Sequence, residues 1–328
     1  MVTGIGSFPF DNVDEAIDLI FSTCKEIPFW PQLPKRAPFE NMYIPFLQGV
    51  PCVVIDEQSG SAFVNSEETE GIEAFYENVQ DEKLGAFRIS ETVAPGFYRF
   101  LGRLKEIEND VKFIKAQLTG PFSMGLGLKD ENGKPIIYNY AYFDIIKKAL
   151  QMKAKWMIAA IKDRYPEKDV ILFFDEPYLV SFGSAYVSIS KEETISIFDE
   201  VLGGIEARRG IHCCGNTDWS VLLNADVDII NYDAFNFMET IFYFKDDLKK
   251  FLSRGGLISP GLVPSSEQVS AASVDDIAAL WKSFEERMAG LGGAPLADAL
   301  ITTSCGVGSL KPAEAVRAME LLRGLTQA

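Results

Sequence analysis

A chain of 328 residues, 47% of them apolar, is long enough to bury a sizeable core and too apolar to be disordered. Its 47 Asp and Glu against 31 Lys and Arg give a net charge of −16 with no basic stripe, which speaks against a nucleic-acid partner. No apolar run approaches the roughly 18 residues of a membrane span, and the first residues lack the basic start and cleavage site of a secretory signal.

"TGIGSF" (3–8) reads as a first strand, with a helix following at 12–25. "EIPFWPQ" (26–32) is available as a second strand, weakened by its two prolines. "PCVVIDE" and "SAFVN", flanking "QSGS", read as a β-hairpin within an inserted segment of roughly residues 35–110. Beyond it, strands at 111–121, 169–177, 210–215, 227–235, 255–264 and 297–306 alternate with helices. Those helices are expected at 143–165 and 191–208, near "DWSVLLNA", at "LKKFLSR", at "VDDIAALWKSFEERMAGL" and at "KPAEAVRAMELLRGL". Continuous apolar strands between amphipathic helices indicate a parallel sheet covered by helices. The count of units predicts an α/β protein, a single (β/α)₈ TIM barrel over residues 1–328 with an inserted β-hairpin and helical segment near its N-terminus. A doubly wound open sheet is the alternative, but no Gly-rich dinucleotide fingerprint follows any strand.

Polar residues favour one end of these strands. Ser7, Gln117, Asp175, Glu176, His212, Cys214, Asp233 and Cys305 lie at or just past a C-terminal end, the edge where barrel enzymes gather their catalytic groups. His212 is the only histidine in the chain. Side chains alternate along a strand, so His212 and Cys214 face one way and Cys213 the other, packed among the helices as a small hydrophobe. Imidazole and thiolate together suit zinc, with Cys305 and Asp233 as further ligands across the mouth. A lone histidine beside two cysteines also fits a satisfied core residue, because H-x-C is short and free cysteine is commonly buried. The five scattered cysteines otherwise read as reduced thiols of a cytoplasmic protein.

"FFDEP" has two readings as well. Asp175 and Glu176 either cap the helix that follows or, on alternate faces, send one carboxylate into the mouth. Asp175 is the better placed of the two to bind a substrate ammonium. Ser7 serves as a turn residue or binds a carboxylate.

These motifs together resemble the catalytic C-terminal half of cobalamin-independent methionine synthase, in the wider group that includes uroporphyrinogen decarboxylase. "TGIGSFP" is similar to the family's opening strand and "LTGP" to its mid-barrel turn. "FFDEP", "IHCCG" and "TTSCG" resemble its I-D-E-P, H-x-C and late-cysteine strands, and "VDIINYDAF" the strand carrying its zinc-bound glutamate, with Asp233 in that place. The resemblance runs in order along nearly the whole chain. It implies a methyltransferase of methionine biosynthesis whose zinc, on His212, Cys214, Cys305 and Asp233, binds the thiol of homocysteine or a related acceptor. It also implies Asp175 at the acceptor's amino group, Ser7 at its carboxylate, Gln117 beside the substrate and Glu176 in support.

The chain departs from the family in two places. It has no second, homologous half for folate binding, and "PGLVPSS" stands where the family has a histidine-bearing loop. A departing folate needs a proton, so a methyl-corrinoid on a separate corrinoid protein is the expected donor. Two other classes stay open. A uroporphyrinogen-type decarboxylase needs cationic groups around its substrate's carboxylates, and few arginines fall at strand ends. A non-catalytic metal- or corrinoid-handling protein would keep the site without turnover.

Overall fold

The structure, a computed structural model, describes residues 1–291 and 299–325. The segment after Gln32 holds a hairpin, β1 (Val53–Asp56) and β2 (Ser61–Val64), paired antiparallel as its turn residues predict. Helices at Ile72–Gln80 and Pro95–Arg103 follow it. The main sheet comprises β3 (Phe113–Thr119), β5 (Asp169–Asp175), β6 (Arg208–Cys213), β7 (Ile229–Asp233), β8 (Leu257–Val263) and β9 (Thr302–Thr303). These six pair in that order and all in parallel, forming a curled, TIM-barrel-like sheet. The short β4 (Lys129–Asp130) instead joins β2 in a separate three-stranded sheet with the hairpin.

Residues 2–7 and 26–32 run alongside the main sheet. Single parallel bridges tie Val2 to Ile301, Ser7 to Gln32, and Phe29 to Lys115. Backbone bonds from Thr3 N to Ile301 O (3.0 Å), Gln32 N to Gly6 O (3.0 Å) and Lys115 N to Pro28 O (2.9 Å) accompany them. Pro28 and Pro31 offer no N–H, which is why this segment makes isolated bridges and no ladder.

Alternation sorts every strand into two cores. Ile114, Ala116 and Leu118 of β3, Leu172 and Phe174 of β5, Ile211 and Cys213 of β6, and Ile230 and Tyr232 of β7 pack against the helices. The opposite faces turn inward, where Ile27, Ile171, Phe173, Ile229 and Leu300 form a small second core. Gly210 makes room for it, since a Cβ there would stand 2.3 Å from the Phe173 ring.

Besides the first two expected strands, which form only isolated bridges, two predicted elements differ in extent from the observed ones. The helix expected at 191–208 stops at Leu202, because Gly203 and Gly204 (φ +68°) turn the chain, and Arg208 already opens β6. Of the last strand, expected at 297–306, only Thr302–Thr303 pairs as strand, and residues 297 and 298 lie outside the described residues. Among the described residues no helix is long and apolar enough to cross a membrane.

Candidate metal centre

Strand register places the inward residues in rows. Thr119, Asp175, His212, Asn231 and Ser259 are successive partners from β3 to β8, so their side chains leave the inner face of the curled sheet at one level. One step towards the strand starts lies Gln117, Phe173, Gly210, Ile229 and Leu257, the row that contributes to the inner apolar core. The polar row is thus the first level above a dry plug, at the C-terminal ends.

At this level His212, Cys214 and Cys305 come together, with one ligand atom from each lying within 4.8 Å of the others. His212 and Cys214 share a face of β6 and its extension, and Cys305 enters from the turn after β9. His212 is buried, and its Nδ1 lies 2.5 Å from Asn231 Oδ1. Its Nε2 is buried with no hydrogen-bond partner. Buried nitrogen without a partner is costly, so this atom is set for a ligand. A hydrogen bond from the Cys305 thiol holds Cys214 down to about 4, with the imidazole adding to the effect, while that same hydrogen bond and burial push Cys305 up. Burial works against protonation of His212, but the neighbouring Cys214 and Asp175 outweigh it. One soft thiolate is therefore available at neutral pH, beside an imidazole and a second sulfur. The donor set fits zinc.

Asp175 pairs with His212 in the register, and its Oδ1 is buried without a partner. Burial raises it to about 6 against the pull of His212 and Lys115. Glu176 points elsewhere. Its oxygens accept from Phe122 N (2.9 Å) and Ser123 N (2.7 Å), so it caps the helix Pro121–Gly127 after β3, not the helix after its own strand as expected. A Cβ on Gly120 would lie 2.1 Å from Glu176 Oε1, so only glycine allows this approach. Asp233 is buried at the end of β7, where it accepts from Asn236 N (2.9 Å) and Nδ2 (2.7 Å) and caps the following turn of helix. It is not one of the three residues whose ligand atoms converge, though it is close enough for His212 and Cys214 to influence its ionisation.

Ser7 lies against the turn that carries Cys305. Its Oγ accepts from Gly308 N (3.4 Å), and its carbonyl accepts from Val307 N (3.0 Å). Gln117 sits one level down, where its Nε2 donates to Trp30 O (2.9 Å) and its Oε1 accepts from Lys115 Nζ (3.3 Å). Cys213 is fully buried among the helices, as alternation requires, and burial pushes its thiol up to about 12.

Sequence reasoning missed Lys115, Asn231, Ser259 and Thr302. All four are buried and polar. The signal was available, since Lys115 stands two residues before Gln117, and Asn231 two before Asp233, on inward faces of otherwise apolar strands.

No family model matches this sequence, and no curated protein matches it significantly. Solved structures do match. A B12-independent methionine synthase from Shewanella sp. W3-18-1, in complex with selenomethionine, superposes with a TM-score of 0.57 at 16% identity, covering 99% of this chain and 97% of that one. A methyltransferase from Methanosarcina mazei gives a TM-score of 0.58 at 13% identity, covering 100% and 94%. The likeness is one of fold, and it spans both partners nearly end to end. The architecture of this chain is that of cobalamin-independent methionine synthase, the family its strand-end motifs resemble.

Proposed function

We propose that the chain is a zinc-dependent methyltransferase acting on the thiol of homocysteine or a related acceptor, with a methyl-corrinoid as donor. The observation that carries this reading is the buried, unpartnered His212 Nε2 beside two cysteine sulfurs, all three ligand atoms lying within 4.8 Å. Three protein donors leave a place for a substrate sulfur, the pattern of a catalytic zinc site. When bound, the ion supplies the positive charge that lets an acceptor thiol lose its proton near neutral pH.

The chain's own groups bind and orient. Asp175 offers a bare buried oxygen to the acceptor's ammonium. Ser7, beside the Cys305 turn, takes the carboxylate. Selenomethionine in the Shewanella protein is the selenium counterpart of a methylated homocysteine, which supports an amino-acid acceptor. Gln117 sets the floor beneath the substrate, and Glu176 fixes the turn at 120–123. Asp233 would offer a further carboxylate to the ion, which would require it to leave Asn236. The acceptor sulfur displaces the methyl in line: its bond to carbon forms as the carbon–cobalt bond breaks, and the electron pair stays with the corrinoid. That leaving group needs no proton. A folate nitrogen does, and the one imidazole of the chain belongs to the cluster. The donor accordingly arrives on a separate corrinoid protein.

In this reading the bridged segments 2–7 and 26–32 are the two remaining staves of a complete (β/α)₈ barrel, and roughly residues 35–110 are its insertion. The test pairs metal analysis with turnover. The purified protein should carry about one zinc per chain and form methionine from homocysteine and methylcobalamin, with methylfolate inactive. Zinc without transfer from either donor would favour a metal-handling protein. A metal-free protein that decarboxylates a polycarboxylate would favour the decarboxylase class.

A further inference from the structure

The hydrogen bonds behind His212 form a chain in which every proton is assigned. Ser259 Oγ donates to Leu300 O at 2.6 Å, and Thr302 Oγ1 donates to Thr303 O at 2.8 Å. Each hydroxyl has only lone pairs left for its other neighbours. Asn231 Nδ2 meets three acceptors, Ser259 O (2.8 Å), Ser259 Oγ (2.9 Å) and Thr302 Oγ1 (2.9 Å). A main-chain carbonyl can never donate, so this side of the amide must be the NH₂, and the oxygen must face the imidazole. Oδ1 lies 2.5 Å from His212 Nδ1. An amide oxygen only accepts, so Nδ1 carries the ring proton. The lone pair of the neutral ring is then on Nε2, the buried atom that has no partner.

We propose that Asn231, oriented by Ser259 and Thr302, is a positioning residue that fixes the tautomer of His212 and presents its Nε2 to a metal ion. Carboxylates and main-chain carbonyls commonly serve behind metal-bound histidines. Here a neutral amide does so, which holds the ring in place without adding negative charge to a site that already contains two cysteines and Asp175.

Because the chain has one histidine, a sample labelled with ¹⁵N-histidine gives two ring nitrogens and no overlap. The experiment uses the full chain, reduced and stripped of metal, at a pH where the imidazole is neutral. In the wild type the proton should sit on Nδ1, with Nε2 bare. Asn231→Leu, similar in size but with no acceptor, should return the ring to the mixture dominated by Nε2–H that free imidazole side chains prefer. Zinc affinity, measured by competition with a chromophoric chelator, should fall about 10- to 100-fold in that variant. Thr302→Val, which keeps the oxygen facing His212 and removes one of three amide acceptors, should lose less affinity and guards against a variant that fails to fold. A wild-type ring protonated on Nε2 would overturn the proposal, as would an Asn231→Leu protein that folds with tautomer and affinity unchanged. The affinity comparison rests on the zinc reading. The tautomer does not, so a protein that binds no zinc yet carries its proton on Nδ1 would defeat that reading and leave this one standing.

Discussion

The upper and lower halves of the curled sheet's inner face are lined by the same strands and follow the same alternation, yet they differ in what they leave unfinished. Below, Ile171, Phe173 and Ile229 meet Ile27 and Leu300 in a dry plug. Beside Ile171 in that lower half, Lys115 is buried but satisfied: its ammonium donates to Ile5 O (3.1 Å) and Gln117 Oε1 (3.3 Å) and lies over the Phe173 ring, 4.6 Å from its centre. Above, Asp175 and His212 each hold a buried atom with no partner, beside two cysteines. Polar groups inside a protein persist when their hydrogen bonds are made, and those left bare point to a missing ligand. Among the inward side chains of the main sheet, incomplete satisfaction, more than polarity itself, separates the site from the scaffold; Trp30 Nε1, also bare and buried, lies in the other core, and Glu40 is ion-paired to Arg36.

Removing a ligand from the upper half gives the largest effect. Structural zinc sites in small peptides contribute about 10–16 kcal/mol of apparent binding, and a site with three protein donors has no donor to spare. His212→Ala or Cys305→Ser should take bound zinc from about one per chain to almost none, as measured by mass spectrometry of metals. Far-UV circular dichroism should not change, because the ladder and the lower plug stay intact. Full occupancy in both variants would falsify the ligand assignment. The converse substitution lies below. Phe173→Ala should cost about 3–5 kcal/mol in denaturant unfolding, since the ring is wholly buried over Gly210, while zinc content holds steady.

The two halves were not equally legible in the sequence. Continuous apolar runs revealed the strands of the main sheet, because parallel strands are buried on both faces and little else has that pattern. The H-x-C pair and Cys305 were visible because thiol and imidazole are rare in this chain, and the structure brings all three together. Asn231 and Lys115 were passed over because a single polar residue in an apolar strand has no composition signal. Only the register shows that Asn231 stands beside His212. Of the two readings of Glu176, a cap for the helix after its own strand or a carboxylate supporting the site, the first points to the wrong helix, since it reaches across to the helix after β3, a tertiary contact that no local pattern encodes. The apolar periodicity of the helix after β5 runs on past Gly203 and Gly204, but the backbone turns there and the helix ends at Leu202.

Lys115 tests whether the polar member of the lower half is scaffold. Burial holds its amine down to about 8, whereas an unfolded lysine titrates near about 10.4. Between those values the unfolded chain binds more protons, so stability from this residue is low below pH 8 and rises towards pH 10. Lys153, held down to about 7 by burial, acts in the same sense, so variant and wild type must be compared at each pH. Lys115→Met removes the buried charge. Its advantage over the wild type in unfolding free energy should be greatest below pH 8 and shrink steadily as the pH rises towards that of free lysine titration. A flat difference across this range would show that Lys115 is not carrying a buried charge, and a loss of zinc in the variant would move it from the scaffold to the site.

The smallest predicted effect concerns the other bare atom of the upper half. Asp175→Asn keeps size and hydrogen-bonding capacity but removes the charge, and a hydrogen bond to a charged group contributes about 1.5–3 kcal/mol. If Asp175 holds the acceptor's ammonium, the KM for homocysteine should rise about 10- to 100-fold with zinc content unchanged, because Asp175 is not one of the three converging ligands. The same substitution should barely affect transfer to a thiol that has no amino group. That pairing separates recognition from chemistry: a residue needed for methyl transfer itself would slow both acceptors alike, and one that merely supports the fold would lower zinc content or stability in step with activity. Equal losses for the two thiols would therefore take the ammonium away from Asp175 and leave its unpartnered oxygen facing some other group.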